Sequence, residues 1–575
     1  MAAGSTRLRK SGCAATEPKL NPWQRRTPAA HAARRVGHVA WAALVLAPLT
    51  GVLWAAVASA WDAQAWAELS SSPLLWPAWR MTLWTGLAST LLAYGLCAWL
   101  LSRTFALPLW ARLVRALGPM LAVPHAAFAV GLVFLIAPSG WLLRAVSPWL
   151  TGLTQPPAWL SSQDPWGLGM VAVLVFKELP FLLWGIASQL QRDDVGLRLA
   201  RELRAAQTMG YARHTAFWHV VWPQLVPRMR WPLMAVLAYG LTVVDVAQIA
   251  GPSNPATLSV LAWQWLQDAS PVTNAQGAQA GWLLAGTVAT AALLWASSAT
   301  LTRRRSHMLR GLRGADAAKP LANAGTAAIA LLLGVYGAVV LTLLLSSVAG
   351  VWPFPQLLPQ AWTWQGWRSV GGSLGTISVT LILAMASTAL ALLWAITWLE
   401  WAPSAWDKAM RWPLALPLLL PSVLWVVGLH QVALRTGITA SWGALVLAHT
   451  LAVLPYVVIA LSPAYLGFDA HCAHISASLG RSHWAFLTRV KWPMLRAAIA
   501  SAAAVGVAVS VAQYLPTLYV GEGRFSTVTT EAVTLASGGQ RSLVAAYAFL
   551  QWLLPVLGFA LATWLGKPRR FATSI

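Results

Sequence analysis

Acidic residues are scarce in this chain of 575 residues: 16 Asp and Glu stand against 40 Lys and Arg. Cysteine is scarcer still. Cys13, Cys97 and Cys472 are too far apart to form a Cys-x-x-Cys pair or a disulfide framework, so they point to neither a zinc ribbon nor a stapled secreted fold. The chain has no His-Glu-x-x-His pair, no clustered Cys/His zinc site and no phosphate-binding Gly-x-x-x-x-Gly-Lys-Ser/Thr loop. It cannot therefore be read as a metalloprotease or as a nucleotide hydrolase in its own right.

What is abundant is apolar sequence: 58% of residues are hydrophobic, only 10% are charged, and the mean hydropathy is +0.60. Apolar runs of about 20 residues, enough to cross a hydrocarbon core, recur along the chain. They lack the alternation of barrel strands, so the pattern predicts an all-α polytopic membrane protein. Twelve spans are expected, near 39–60, 79–102, 114–137, 166–190, 231–251, 281–301, 324–349, 374–399, 412–434, 441–464, 497–517 and 542–565.

The formal charge of +24 would suit a nucleic-acid-binding protein only if the cations shared a soluble surface. They do not. The N-terminal tail, the loops on the same side and the C-terminus hold 33 of the 40, the opposite side holds Arg80, Arg144, Arg368, Arg435, Arg524 and Arg541, and Lys177 lies within a span. The positive-inside rule then places both termini in the cytoplasm and excludes a nucleic-acid partner. Arg34-Arg35 before the first span reads as part of a cytoplasmic anchor, not as a cleaved export signal.

The twelve spans divide into two sets of six, and local matches link the sets. TLWTGLAST at 82–90 matches TLILAMAST at 380–388 in five of nine positions, and Pro124 and Gly131 recur with the same spacing as Pro421 and Gly428. Val246-Ala247-Gln248 is paired with Val511-Ala512-Gln513. The expected organisation is a basic tail over 1–38, a first half over 39–302, a linker over 303–323, a second half over 324–566 and a short tail over 567–575. Two halves running in the same direction would pack about a pseudo-twofold axis normal to the membrane and enclose a path.

Between the fourth and fifth spans of each half lies a segment unlike any other loop: RAAQTMGYARHTAFWHVVWP at 204–223 and HISASLGRSHWAFLTRVKWP at 474–493. Gly210, Val220, Trp222 and Pro223 recur as Gly480, Val490, Trp492 and Pro493, all 270 positions later. Composition alone allows an interfacial helix that merely spaces two spans. Repetition at fixed spacing favours a pair of docking elements for a cytoplasmic partner, each made of two short helices bent at the glycine, with the proline resetting the chain before the next span.

The segment resembles the cytoplasmic loop of the permeases of ATP-binding-cassette (ABC) importers, whose motif runs Glu-Ala-Ala, three residues, Gly, nine residues, an aliphatic residue, one residue, Leu-Pro. Ala205, Ala206, Gly210, Val220 and Pro223 fit that motif, as do Gly480, Val490 and Pro493. Arg204 stands for the Glu in the first copy, and His474, Ile475 and Ser476 replace Glu-Ala-Ala in the second. The whole chain is similar to fused two-half permeases of the ferric-iron and thiamine type and of a related branch, to which 510–539 also has a likeness. The resemblance implies a permease subunit of the bacterial inner membrane that moves a small solute between its two halves. It implies no cofactor in this chain, two cytoplasmic ATPase subunits that bind ATP and pull the loops, and a periplasmic solute-binding protein.

Polar residues within spans supply the candidate pathway: Lys177, Glu178, Asp245, Gln248, His430, His449, Gln513 and Tyr514. Lys177 and Glu178 are too costly to face lipid and must face protein or water. Anchoring beside Pro180 is the expected role of the pair, and for the others a buried hydrogen-bonded role competes with solute contact. A proton-coupled secondary transporter is the nearest alternative, because it too needs intramembrane acids. An intramembrane enzyme is a weaker one: GGSLG at 371–375 fits a nucleophile elbow in letters but precedes a span instead of joining a strand to a helix.

Overall fold

The computed structural model describes residues 28–159, 161–190, 195–305 and 318–567. Residues 1–27 of the expected tail, with Cys13, most of the expected linker and residues 568–575 lie outside them. All named elements are helices, and the one β-bridge among the described residues joins Ala349 to Trp362.

In the N-terminal half the principal helices are α1 (Pro28–Ser59), α2 (Leu75–Thr104), α3 (Pro108–Ala122), α4 (His125–Ile136), α5 (Leu168–Leu190), α6 (Val195–Thr208), α7 (Arg230–Thr242), α8 (Asp245–Ala250) and α9 (Pro271–Arg305). The C-terminal half has α10 (Ala318–Ser347), α11 (Leu374–Trp401), α12 (Ser404–Leu419), α13 (Ser422–Thr436), α14 (Trp442–Leu466), α15 (Ala470–Ser478), α16 (Trp492–Val511), α17 (Leu515–Gly521) and α18 (Arg541–Gly566). Part of the expected N-terminal tail is thus already helical from Pro28.

Ten helices among the described residues are long and apolar enough to cross a membrane, or eleven if α12 and α13, bent by 102°, form one span. The chain is an all-α polytopic membrane protein. Two of the twelve expected runs do not give a straight span, the fifth of the first half and the third of the second half; the third of the first half and the fifth of the second do, but over shifted bounds, His125–Val146 and His483–Val511. Each third run breaks at its proline: Pro124 and Pro421 are extended N-caps of α4 and α13. Proline pushes the preceding residue out of the helical region, and Val123 and Leu420 are indeed extended. The fifth runs break between α7 and α8 and between α16 and α17, at Val243-Val244 and Ala512-Gln513-Tyr514. By contrast Pro180, expected to break the fourth span, sits inside an uninterrupted α5; neighbouring helices let a buried span tolerate proline.

Packing pairs the halves crosswise. A Cβ on Gly131 in α4 would come within 2.6 Å of Val339 in α10, and one on Gly428 in α13 would overlap the Val52 carbonyl oxygen in α1. Each third run therefore meets the first helix of the other half through a glycine that permits backbone approach. Gly428→Val is expected to lower thermal stability in detergent by about 3 kcal/mol, the upper end of overpacking costs, because the obstacle is backbone that cannot rotate away. An unchanged melting temperature would refute this account of the joint.

Paired hydrogen bonds also recur. Leu258 N–H donates to Thr82 Oγ1 (2.8 Å), and Val528 N–H, 270 positions later, donates to Thr380 Oγ1 (2.9 Å). Ser259 bonds the Val243 carbonyl at 2.8 Å, and Thr529 bonds that of Val511. The first turns of α8 and α17 keep the same offset, with Gln248 N–H bonded to Val244 O and Leu518 N–H to Tyr514 O. This corrects the pairing of Val246-Ala247-Gln248 with Val511-Ala512-Gln513. The positions equivalent to Asp245 and Gln248 are Leu515 and Leu518, so the intramembrane acid of α8 has no counterpart in α17.

At the end of the bundle where α1 finishes, Arg144 is only 3% exposed. Its guanidinium donates to the carbonyls of Pro353 (2.8 Å), Gln356 (2.8 Å) and Trp352 (3.0 Å) and lies 4.4 Å from the Trp352 ring centroid. Arg541 donates to the Phe134 carbonyl at 3.2 Å. Arg144 and Arg541 thus each tie the two halves together at that end.

Candidate functional site

Each glycine-centred segment folds as a bent pair of helices. In the first, α6 ends at Thr208, Gly210 takes φ +86°, and a turn of α-helix at Arg213–Ala216 leads into a π-turn at Phe217–Val221. In the second, α15 ends at Ser478, Gly480 takes φ +69°, and His483–Phe486 leads into a π-turn at Leu487–Lys491. A Cβ at either glycine would meet no atom within 4 Å. The left-handed φ, not crowding, is what calls for glycine there.

The expected bend is therefore present, but Pro223 and Pro493 do not reset the chain. They occupy the first turns of helices that follow directly on the π-turns. The C-terminal segment consequently runs without interruption into the next span, His483–Val511. Motion of the segment is geometrically coupled to α16.

Burial matches at the motif positions. Ala206 and Ser476 face inward, while Arg204, Ala205, Gly210 and His474, Ile475, Gly480 are exposed; Val220 is half-buried. Arg204 is turned along its own helix, with Nε 3.3 Å from the Ala200 carbonyl. Glu202, the acid nearest the unfilled motif position, accepts from Gln224 at 2.6 Å and lies 3.7 Å from Arg198. Trp222 and Trp492 each stack edge-on with a second tryptophan at 5.5 Å.

The intramembrane candidates separate into two groups. Lys177 and His449 hold broken helices together. The Lys177 ammonium, 3% exposed, donates to the carbonyls of Met120 (3.2 Å) and Val123 (2.5 Å) at the end of α3. His449, 1% exposed, lies 2.9 Å from both Ser510 Oγ and Thr517 Oγ1, spanning the break between α16 and α17. The anchoring role expected for Lys177 is realised at Pro124, not at Pro180.

A second group converges where the broken runs of both halves meet. Glu178 Oε1 lies 3.2 Å from His125 Nε2 at the start of α4, and the His125 ring lies tilted against that of Tyr239, centroids 4.6 Å apart. Tyr239 is within electrostatic reach of Asp245, Glu178 and Tyr456. Gln248 of α8 and Tyr514 at the start of α17 approach each other across the two halves. Tyr456 belongs to α14 in the C-terminal half and is 39% exposed while it faces Glu178 of the N-terminal half.

Gln513 turns back to the Val509 carbonyl at 3.2 Å. His430 stands apart from the central group, 3.9 Å from Glu522 and 5.3 Å from the Tyr519 ring. Near the end of the bundle opposite the glycine segments, a cavity of about 480 Å³ opens between α1, α9 and α13, with Asp62, Asp268, Asn274, Gln279, Gln431 and Arg435 among its lining residues.

His125, Tyr239 and Tyr456 are functional candidates that only the folded chain brings forward. His125 carries a usable signal in sequence, since it directly follows the repeated proline; the tyrosines have none beyond lying in apolar runs.

No protein-family model matches the chain. It is 35% identical over 544 residues to the inner membrane ABC transporter permease protein YnjC of Escherichia coli (strain K12), an alignment that takes in 92% of this chain and 97% of that protein.

Proposed function

The chain belongs to the inner membrane ABC transporter permeases, and from that premise we propose that it is the membrane subunit of an importer, driven by two separate ATPase subunits that dock on the Gly210 and Gly480 segments. The observation that carries this reading is the recurrence of one bent module in each half, exposed at its glycine and joined through a π-turn to the fifth helical run. Such a module can turn a push from outside the bundle into rotation of a span.

In this reading residues 39–302 and 324–566 are the two permease halves, and the excess of Lys and Arg on one side keeps both termini cytoplasmic. ATP is bound by the partners, and a periplasmic binding protein delivers a small solute. The solute passes between the halves beside Glu178, Asp245, Gln248, Tyr456 and Tyr514, with Lys177 and His449 keeping the walls intact. The chain itself carries no catalytic role.

Gly210→Val combined with Gly480→Val tests the docking elements. A β-branched residue in the left-handed region costs about 1–2 kcal/mol at each position, too little to prevent membrane insertion but enough to shift the bend. The doubly substituted chain is expected to insert normally, while its co-purifying ATPase loses the rise in ATP hydrolysis that the native permease produces in nanodiscs. Native stimulation of the ATPase by the doubly substituted chain would overturn the assignment of these segments.

A further inference from the structure

Glu400 is a carboxylate in the last turn of α11, and its side chain is only 5% exposed. A negative charge at a helix C-terminus opposes the macrodipole, so this burial depends on cationic and hydrogen-bonding partners from elsewhere. Three arrive from different elements. The Tyr465 hydroxyl in the last turn of α14 donates at 2.9 Å, His483 Nε2 lies at 2.9 Å, and Lys491 Nζ donates at 2.6 Å. The Lys491 ammonium also stands 4.0 Å from the Tyr465 ring centroid, and the Trp492 indole donates to the Tyr465 hydroxyl at 3.2 Å. One carboxylate thus ties together the ends of the second and fourth spans and both ends of the His483–Lys491 stretch that follows the Gly480 bend.

The N-terminal half joins the same elements with different chemistry. Arg213, 270 positions before His483, donates to the carbonyl of Phe105, the residue that caps α2. Val221, fully buried, stands where Lys491 stands in the other half. The joint is common to both halves, but the ionic hub belongs to the second. That is the half whose segment has His474-Ile475-Ser476 at the acidic motif position and whose nearest preceding acid, Asp469, caps α15 through the His471 N–H at 2.9 Å.

We propose that Glu400 is a positioning residue that makes the Gly480 segment and α11 move as one rigid body, so that a pull on the segment reaches the second span directly. The inference rests on the ATPase-docking reading for the source of the pull, but not for the rigidity of the joint. Without the carboxylate, His483 and Lys491 lose their common acceptor and the segment can slide past the end of α11.

The test uses the full chain with its co-purifying ATPase in nanodiscs, with Cys13, Cys97 and Cys472 replaced by alanine. Spin labels are placed at the exposed positions Met385 and Leu479, and separately at Met209 and Leu479. With ATP and vanadate, the Met385–Leu479 distance is expected to stay fixed in the otherwise native chain. In Glu400→Gln it is expected to shift by about 5 Å, one helical turn, and Glu400→Asp, which keeps the charge, is expected to restore the fixed distance. A Glu400→Gln chain whose Met385–Leu479 distance is as narrow and as constant as the native one overturns the proposal. If the Met209–Leu479 distance ignores ATP in the native chain, the docking reading fails on its own. The hub is then judged by the Met385–Leu479 distribution without nucleotide, which Glu400→Gln must broaden and Glu400→Asp must not.

Discussion

Lys177→Met is expected to destabilise the folded chain by about 3 kcal/mol or more, the scale for breaking a buried charged partnership. It should do so whether or not solute is present. The reason lies in the break between α3 and α4. Pro124 offers no N–H, and Val123 and Pro124 are both extended, so carbonyls at the end of α3 lose the donors that a continuous helix would supply. Within a bilayer an unmatched carbonyl has no water to turn to. Lys177 supplies a donor to the Val123 carbonyl and a second one to that of Met120, which otherwise has the Val123 N–H at 3.3 Å, and its charge also offsets the adjacent Glu178. The measurement is thermal unfolding in detergent with a fluorescence readout. A methionine variant with native stability, affected only in solute movement, would show that Lys177 serves the pathway and not the joint.

That joint marks where sequence reasoning stops short. Apolar length identifies the membrane-spanning character, and the repeated Pro124 and Pro421 are visible as equivalents. Hydropathy has no term for chain direction, however, so an apolar run that breaks and turns looks the same as one that crosses straight. The 114–137 and 412–434 runs accordingly read as single spans. The cost of an intramembrane cation predicts that Lys177 faces protein, but its acceptors lie 54 and 57 positions away in sequence, and no local pattern points to them. Pro180 is nearer in the chain, yet it is not the break that Lys177 anchors.

The Gly210 and Gly480 segments are more legible because their constraint is local: a left-handed residue must be followed by a fixed length of helix. The offset of 270 survives in the folded contacts of Leu258 and Val528. The same offset explains why the Val-Ala-Gln pairing misleads. Its letters match at an offset of 265, out of register with the hydrogen bonds. With the register corrected, Asp245 has Leu515 at the equivalent position, so the proposed pathway would carry an acid from one half only.

That asymmetry makes the pathway testable from its two sides. Tyr456→Cys, on α14, is expected to react with a membrane-impermeant thiol reagent if the solute passes beside it as proposed, because the tyrosine is 39% exposed near Glu178 of the other half. Its reaction rate is expected to change about tenfold when ATP and vanadate are added, as a shift of about 1.4 kcal/mol between inward-open and outward-open forms would produce. Adding Asp245→Arg on the opposite wall puts a cation among His125, Tyr239 and Tyr514, where the native chain has a carboxylate. The reversed charge is expected to abolish the rate change by favouring one form, while leaving Lys177, His449 and the glycine segments in place. Parallel measurement at Trp61→Cys, which is 82% exposed beyond the end of α1, separates a change at Tyr456 from a change in general reactivity. A Tyr456→Cys chain that stays unreactive in every nucleotide state would remove Tyr456 from the path. An unchanged response with Asp245→Arg would remove Asp245.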